Sequence, residues 1–322
     1  MNRSHLNDKA FSDALSLTLN TSRSLAPRAA IGWCLLDTEE HVIACDATMA
    51  GAASTKLIHC LRQHAEHCQQ LLLTLEPVQG IVNGRELIQV LDSSSCQQIN
   101  IAHQMESRYL DADWLRWKET WSGELHYLAQ SYVAGQLAAG IESVKQYRRP
   151  WVVAVCAADW FGRSLSLQDQ CEGFAMKEQL NHYASQSRAV LFTPEQHAFV
   201  ANLPEANSIN EPIVPFEIYD FHALESLLNY WASEYRCNCV VYTNTHTLGY
   251  LLEQELVDEV IYYLADADNN SRLVDTSSMQ ALPTMNFTGW QTTSCSKAGD
   301  GCRLVLRRKS VASAYPSNSG LN

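Results

Sequence analysis

Short apolar runs alternate along this chain with stretches in which apolar residues recur at helical spacing. Ala10, Phe11, Ala14 and Leu15 repeat with a helical period. Ala30 to Leu36 is a compact apolar run of strand length, and His41 to Cys45 reads as a second strand across the acidic turn Asp37-Thr38-Glu39-Glu40. Thr55 to Gln69 reads as a helix, Leu71 to Leu75 as a strand, Arg85 to Leu91 as a short helix and Gln97 to Ala102 as a strand. Ser122 to Lys145 reads as one long helical stretch.

Arg148-Arg149-Pro150 ends that stretch, and the pattern then restarts. Strands are predicted at Trp151 to Ala157, Ala189 to Phe192, Pro215 to Tyr219, Cys239 to Tyr242 and Val260 to Ala265. Helices are predicted between them at Met176 to Ser187, Ala223 to Tyr235 and Leu248 to Gln254. Two further strands, near Asn286 to Thr293 and Arg303 to Leu306, are expected to form an antiparallel edge. Such alternation predicts an α/β protein with largely parallel sheets and helices on their faces. The expected domains are 1–147 and 148–310, followed by a polar tail, 311–322, expected to be mobile.

Composition narrows the function classes. The 322 residues carry 23 Lys and Arg against 35 Asp and Glu, a formal charge of −12. That balance argues against non-specific binding to nucleic acid or to anionic membranes. No apolar run approaches the ~20 residues of a membrane helix, and the polar start lacks a signal-peptide core. The cytosol is the expected location. The eleven cysteines stand at irregular spacings in a chain too large to need disulfide staples, so they read as mostly reduced thiols.

Several short motifs stand in a telling order. Ile31-Gly32-Trp33-Cys34 is followed by Thr74-Leu75-Glu76-Pro77, Arg149-Pro150-Trp151-Val152, Gly162-Arg163, and Gly249 to Glu253 with Leu256-Val257-Asp258-Glu259. In order and spacing they resemble the V-G-C-V, T-L-E-P, R-P-Y-V, G-R and G-x-L-L-E-x-x-L-V-D-E segments of the bifunctional riboflavin-biosynthesis deaminase-reductase family (RibD type). The resemblance runs from about residue 8 to residue 308. It implies a cytidine-deaminase-like three-layer domain followed by a dihydrofolate-reductase-like α/β domain. It also implies a homodimer through the reductase-like half and a small nucleotide-like ligand.

The residues that would carry the family's chemistry are missing. Zinc-dependent deamination needs a metal to generate hydroxide and a carboxylate to move the proton. By spacing from Thr74, the family's metal-binding His falls on Thr55 and its proton-shuttling Glu on Leu57. Val78 stands where the first cysteine would follow T-L-E-P, and Gln79 to Leu91 contains no cysteine. Zinc is therefore not expected. His64-Ala65-Glu66 spells the family's H-A-E, yet it lies only ten residues before Thr74, about two turns late. In the second half, alignment from Arg149-Pro150 puts Val155 at the family's Lys and Phe161 at its Asp. The glycine-rich approach to the NADPH phosphates falls on Thr193-Pro194-Glu195-Gln196, and the E-G-G loop on Tyr242-Thr243-Asn244. Glycines let a backbone come close to a phosphate, and none is present here. NADPH stays a candidate cofactor only under the reading of an altered reductase.

Other constellations are weaker. Cys60, His64 and Cys68, with His67 beside them, would share one face of a continuous helix, which makes a half-buried stripe or a metal site. Cys237 and Cys239 share a strand face and read as buried small residues. Cys295 and Cys302 flank a turn at Gly299-Asp300-Gly301, where a cross-strand disulfide is geometrically open but disfavoured in the cytosol. Asp159, Arg163 and His246 are the candidates for a rebuilt active site, against the reading that they are solvated loop residues. Tyr127, Tyr132, Trp151 and Trp160 read as core or interface. The expectation is a two-domain scaffold that has lost both reactions and serves in binding, regulation or assembly. An NADPH-dependent reductase with a scaffold deaminase half is the alternative.

Overall fold

In the computed structural model, residues 13–18, 20–21, 28–50, 55–128, 132–165, 167, 189–201, 213–216, 221–265, 287–298 and 301–308 are described. The predicted helix Met176 to Ser187, the tail 311–322 and most of the turn at Gly299 to Gly301 lie outside them. The chain divides into two compact units, Met1–Tyr147 and Arg148–Asn322.

The first unit is built on a five-stranded sheet of order β2-β1-β3-β4-β5. Its strands are β1 (Ala30–Leu36), β2 (Val42–Met49), β3 (Gln70–Leu73), β4 (Gln98–Ile101) and β5 (Glu124–Tyr127). The β1 strand is buried at every position, which is why it reads as an unbroken apolar run. It pairs antiparallel with both β2 and β3, while β3, β4 and β5 run parallel. The acidic turn forms as predicted: Asp37 Oδ1 accepts from the N–H of Glu39 at 2.8 Å and of His41 at 2.9 Å. Helix α1 (Thr55–Gln63) packs on β2 and on α2 (Gly84–Asp92). Asn83 caps α2, and Asp111 caps α3 (Ala112–Lys118) by accepting from Asp113 and Trp114. A side chain at Gly84 would collide with that same Asp111, so the two helix starts need glycine to approach. Helix α4 (Tyr132–Tyr147) closes the unit.

Three expectations change here. The stretch from Ser122 is not one helix: β5 precedes α4. Its alternating residues sit on a nearly exposed edge, so no buried apolar run announces them. Helix α1 stops at Gln63, and His64 to His67 form turns. Cys60, His64 and Cys68 therefore do not share a helix face, and the H-A-E triplet is not on a helix at all. Among the described residues, no group of three or more His, Cys, Asp or Glu is placed to hold a metal ion.

One half-buried carboxyl gives this unit a pH dependence. Burial, and then the negative charge of Glu106, push Glu142 up to about 7, with Arg108 opposing. A carboxyl whose folded value lies above its unfolded value is held in its neutral form. That stability is complete below the unfolded value and is lost as pH rises through the folded one. The first unit should therefore lose stability between about pH 4.5 and 7 on this group's account. Glu142→Gln should flatten that slope in thermal melts taken across the range, and an unchanged slope would refute the assignment.

The second unit holds a seven-stranded sheet of order β11-β12-β10-β6-β9-β7-β8. Its parallel strands are β6 (Trp151–Asp159), β7 (Val190–Phe192), β8 (Ile213–Pro215), β9 (Asn238–Tyr242) and β10 (Glu259–Ala265). β11 (Trp290–Ala298) and β12 (Gly301–Arg308) complete the antiparallel edge. Alternation along β6 separates two cores. Val152, Ala154, Cys156 and Ala158 meet Leu224, Leu228 and Trp231 of α6 (Phe221–Ser233) and Leu248 and Leu251 of α7 (Thr245–Glu253). Val155 and Ala157 meet Leu165, Leu167 and Val200 on the other side; Val200 lies on α5 (His197–Ala201). Cys237 and Cys239 are buried. Cys295 pairs in register with Leu304 rather than Cys302, and both thiols are free.

Candidate functional site

In the first unit, the polar groups worth examining sit at the carboxyl ends of the parallel strands β3, β4 and β5. Thr74 follows β3 and ties it to β1: the Gly32 N–H donates to Thr74 Oγ1 at 2.9 Å, and the Thr74 N–H donates to the Gly32 carbonyl at 2.9 Å. Glu76 is fully buried. Its Oε1 accepts from Lys118 Nζ at 2.8 Å, from the Tyr127 hydroxyl at 2.8 Å and from Trp114 Nε1 at 3.5 Å. Its Oε2 accepts from the Met105 N–H at 3.0 Å. Burial, together with the bond to Glu76, pushes the Tyr127 phenol up. Burial holds the nearby His103 below its ordinary value, with the Glu76 charge opposing. The Glu of the T-L-E-P turn is thus an anchor that gathers β4, α3 and β5.

Two of the positions assigned to zinc chemistry, Leu57 and Val78, carry no ligand atoms. Leu57 and Val78 are fully buried apolar residues. The Val78 carbonyl accepts from the N–H groups of Ile81 and Val82, so the turn leads into α2 without any metal. Zinc requires nitrogen, sulfur or oxygen ligands. These residues do not fit it.

In the second unit, β6 and β9 lie side by side, and the chain leaves them on opposite faces. The β6 connection continues through Leu165 and Leu167 on one face, and β9 continues into α7 on the other. In α/β sheets, ligands commonly bind at such a divergence. Val155 and Tyr242, which stand near it, are fully buried in the core of one face. Phe161, by contrast, is 81% exposed, so it fills nothing.

The segments that follow β6, β7 and β9 carry buried polar residues. Ser164, Thr193, Gln196, Thr243, Asn244, Thr245 and Thr247 are all buried. Ser164 Oγ lies 2.6 Å from Thr245 Oγ1 and accepts from the Thr245 N–H at 2.9 Å. Asn244 Oδ1 accepts from the Thr247 N–H at 2.8 Å. Two of the first-turn N–H groups of α7, the kind that would cradle a phosphate, are already engaged by side chains. On the β7 side, Pro194 removes one N–H and the turn contains no glycine. The residues present do not fit a dinucleotide phosphate. Thr193 Oγ1 and Gln196 Nε2 are buried there without a hydrogen-bond partner.

Of the predicted candidates, Asp159 and Arg163 come together and His246 stays apart from them. Asp159 is buried, and its Oδ1 accepts from the N–H groups of Phe161 and Arg163 at 2.9 Å each. Arg163 Nε donates to its Oδ2 at 2.5 Å. Gly162 sits at φ +79° inside this turn, a conformation glycine adopts without strain. Asp159 therefore closes a turn, and Arg163 neutralises it. The His246 ring packs edge-on against Tyr250 at 4.9 Å. Ser164 and Thr245, each one residue away from a candidate, are the pair that joins the two segments. Of the aromatics read as core or interface, Trp151 is buried, Trp160 is 56% exposed, and Tyr127 belongs to the Glu76 network.

The remaining motifs also converge on structural bonds. Arg149 donates from both terminal nitrogens to Asp258, NH2 reaching Oδ1 at 2.7 Å, and Asp258 Oδ2 accepts from the Val152 N–H at 2.8 Å. Arg307 Nε donates to Glu259 Oε2 at 2.7 Å in a second buried pair. The R-P and V-D-E segments are therefore two halves of one buried ion-pair system.

No protein-family profile and no curated protein matches the chain. Solved structures do. Acinetobacter baumannii RibD superimposes with a TM-score of 0.60 at 15% identity, covering 94% of this chain and 99% of that one. A Thermotoga maritima diaminohydroxyphosphoribosylaminopyrimidine deaminase/5-amino-6-(5-phosphoribosylamino)uracil reductase superimposes with a TM-score of 0.62 at 10% identity, covering 94% and 100%. The chain has the RibD-like fold, a cytidine-deaminase-like domain followed by a dihydrofolate-reductase-like domain.

Proposed function

We propose that this chain is a non-catalytic derivative of the riboflavin-pathway deaminase-reductase scaffold, serving in binding, regulation or assembly. The observation that carries the reading is the identity of the residues at the two sites. Buried Leu57 and Val78 replace metal chemistry in the first unit. Ser164 and Asn244 occupy the α7 amino terminus in the second. The motif residues that persist, Thr74, Glu76, Arg149 and Asp258, all make internal bonds that hold strands and helices together.

The alternative is an NADPH-dependent reductase with altered site residues. The unpartnered buried Thr193 Oγ1 and Gln196 Nε2 favour it, because a ligand could satisfy both. Thermal stability with and without NADPH separates the two. A nucleotide at 100-fold its Kd would stabilise the folded chain by about 2.7 kcal/mol. The non-catalytic reading expects no shift at millimolar NADPH. A saturable shift, with oxidation of NADPH on adding the family's pyrimidine substrate, would establish the alternative.

A further inference from the structure

The β1–β2 ribbon carries two thiols directly opposite each other, Cys34 and Cys45. The ladder fixes their geometry. The Ala50 N–H donates to the Ala29 carbonyl, one step beyond the Ala30–Met49 pair, and the register is unbroken from Ala30 to Leu35. Hydrogen-bonded pairs therefore fall at every second position, and Cys34–Cys45 falls between them. The bond from the Thr74 N–H to the Gly32 carbonyl agrees, since it turns the even-numbered backbone groups of β1 toward β3. Antiparallel partners at such positions have Cα atoms about 4.5 Å apart and their side chains at closest approach. That separation lies within the span a disulfide bridges, about 4.4–6.8 Å.

The two thiols differ in access. Cys34 is fully buried beneath the helical residues 13–18, packed with Ala14, Leu36 and Leu72. Cys45 is half-buried, with its Sγ 3.6 Å from Thr18 Oγ1. We infer that Cys34 and Cys45 form a reversible oxidation site, with Cys45 as the thiol attacked by a hydroperoxide and Cys34 as the resolving thiol. In the first step the Cys45 thiolate attacks a peroxide oxygen. An S–O bond forms, the O–O bond breaks, and the leaving alkoxide or hydroxide takes up, through solvent, the proton that Cys45 released on ionising, so that alcohol or water departs. Cys45 is then a sulfenic acid, oxidised by two electrons. In the second step the Cys34 sulfur attacks Cys45: the S–S bond forms, the S–O bond breaks, and the Cys34 proton leaves with the hydroxide as water. A small dithiol reverses the reaction.

The electrostatics run the same way. The Cys34 thiol, hydrogen-bonding toward Cys45, draws the Cys45 thiol down to about 7 against the effect of burial, and Cys34 itself is pushed up. A half-buried, acidic thiol beside a buried resolving partner is an arrangement that favours oxidation. Cys68 and Cys96 form a second hydrogen-bonded thiol pair, in which Cys96 is drawn down and Cys68 pushed up, and they differ from Cys34 and Cys45 in access. Both are buried, and their thiols donate to the carbonyls of Gln70 and Gln98.

Treating the full chain with one equivalent of hydrogen peroxide, then alkylating and digesting without reductant, tests the proposal. No Lys or Arg lies between Arg28 and Lys56, so trypsin leaves both thiols on one peptide, which should lose two hydrogens. Cleavage after Glu39 and Glu40 should then leave its two pieces joined until reduced. Cys34→Ser should stop the reaction at a sulfenic acid on Cys45 that dimedone traps. Free, alkylated Cys45 in the peroxide-treated wild-type chain would overturn the proposal, as would a bridge joining either thiol to any other cysteine. The wild-type peptide map decides this even where the serine variant folds poorly.

Discussion

Asp258→Ala should cost the second unit about 3–5 kcal/mol, the range for removing one partner of a buried ion pair. Asp258 receives both terminal nitrogens of Arg149 and the N–H of Val152 at the start of β6. Its removal takes the carboxylate away from the Arg149 guanidinium, itself buried, which also donates to the carbonyls of Pro150 and Glu255. Those neutral acceptors do not balance a charge away from water. Hydrogen exchange of the β6 amides in mild urea is the suitable measure, because a two-unit chain need not unfold in one step. Asp258→Asn keeps an acceptor but not the charge and should fall between the wild-type chain and the alanine variant. A loss below about 1 kcal/mol would mean that the pair breaks even against its desolvation.

Glu76→Ala should be the corresponding lesion in the first unit, costing about 3 kcal/mol, the low end of the same range. Four donors converge on this carboxylate: Lys118 Nζ, the Tyr127 hydroxyl, Trp114 Nε1 and the Met105 N–H. The low end applies because the Lys118 side chain keeps 17% of its surface exposed and can turn outward. The Met105 N–H and the buried Trp114 indole cannot. Trp114 offers the readout, since its fluorescence should shift to the red as water reaches it. Unchanged stability and an unchanged emission maximum would show that the T-L-E-P glutamate is not the anchor described.

These two variants bear on why the resemblance survives at such low identity. Thr74, Glu76, Arg149, Asp258 and Gly162 carry bonds or a backbone conformation that few other residues supply. A metal ligand or substrate-binding group contributes little to folding once its ligand is gone. Leu57, Val78 and Val155 now contribute apolar burial instead. Replacement of a donor by a buried apolar group is commonly neutral or favourable for stability.

Much of this was legible in the chain. The β1 and β6 strands announce themselves because both faces are buried and no polar residue interrupts them. The proposal that Thr55, Leu57 and Val78 stand where the family keeps its zinc chemistry rests on spacing. β5 was not legible, because an exposed edge strand has no apolar signal to offer. Helix α3 left a trace in the spacing of Trp114, Trp117 and Trp121, whose successive ring centroids lie 5.2 Å apart (tilted) and 5.0 Å apart (stacked), and in the Asp111 cap. The role of Asp159 was hidden because a turn-closing aspartate and a catalytic one look alike in sequence. The Ser164–Thr245 contact joins residues 81 positions apart, and no local pattern encodes it. The run Thr243-Asn244-Thr245-His246-Thr247 was the available hint that a polar segment follows that strand.

Whether the scaffold persists without its ancestral chemistry is decided in the deaminase half. Ammonia release should be measured for the chain equilibrated with one equivalent of zinc and given the family's pyrimidine ribotide at enzyme-saturating concentration. A rate indistinguishable from the zinc and buffer blank is the predicted result. Zinc-dependent turnover above that blank would contradict the account, because Leu57 and Val78 offer neither a proton shuttle nor a ligand to support it.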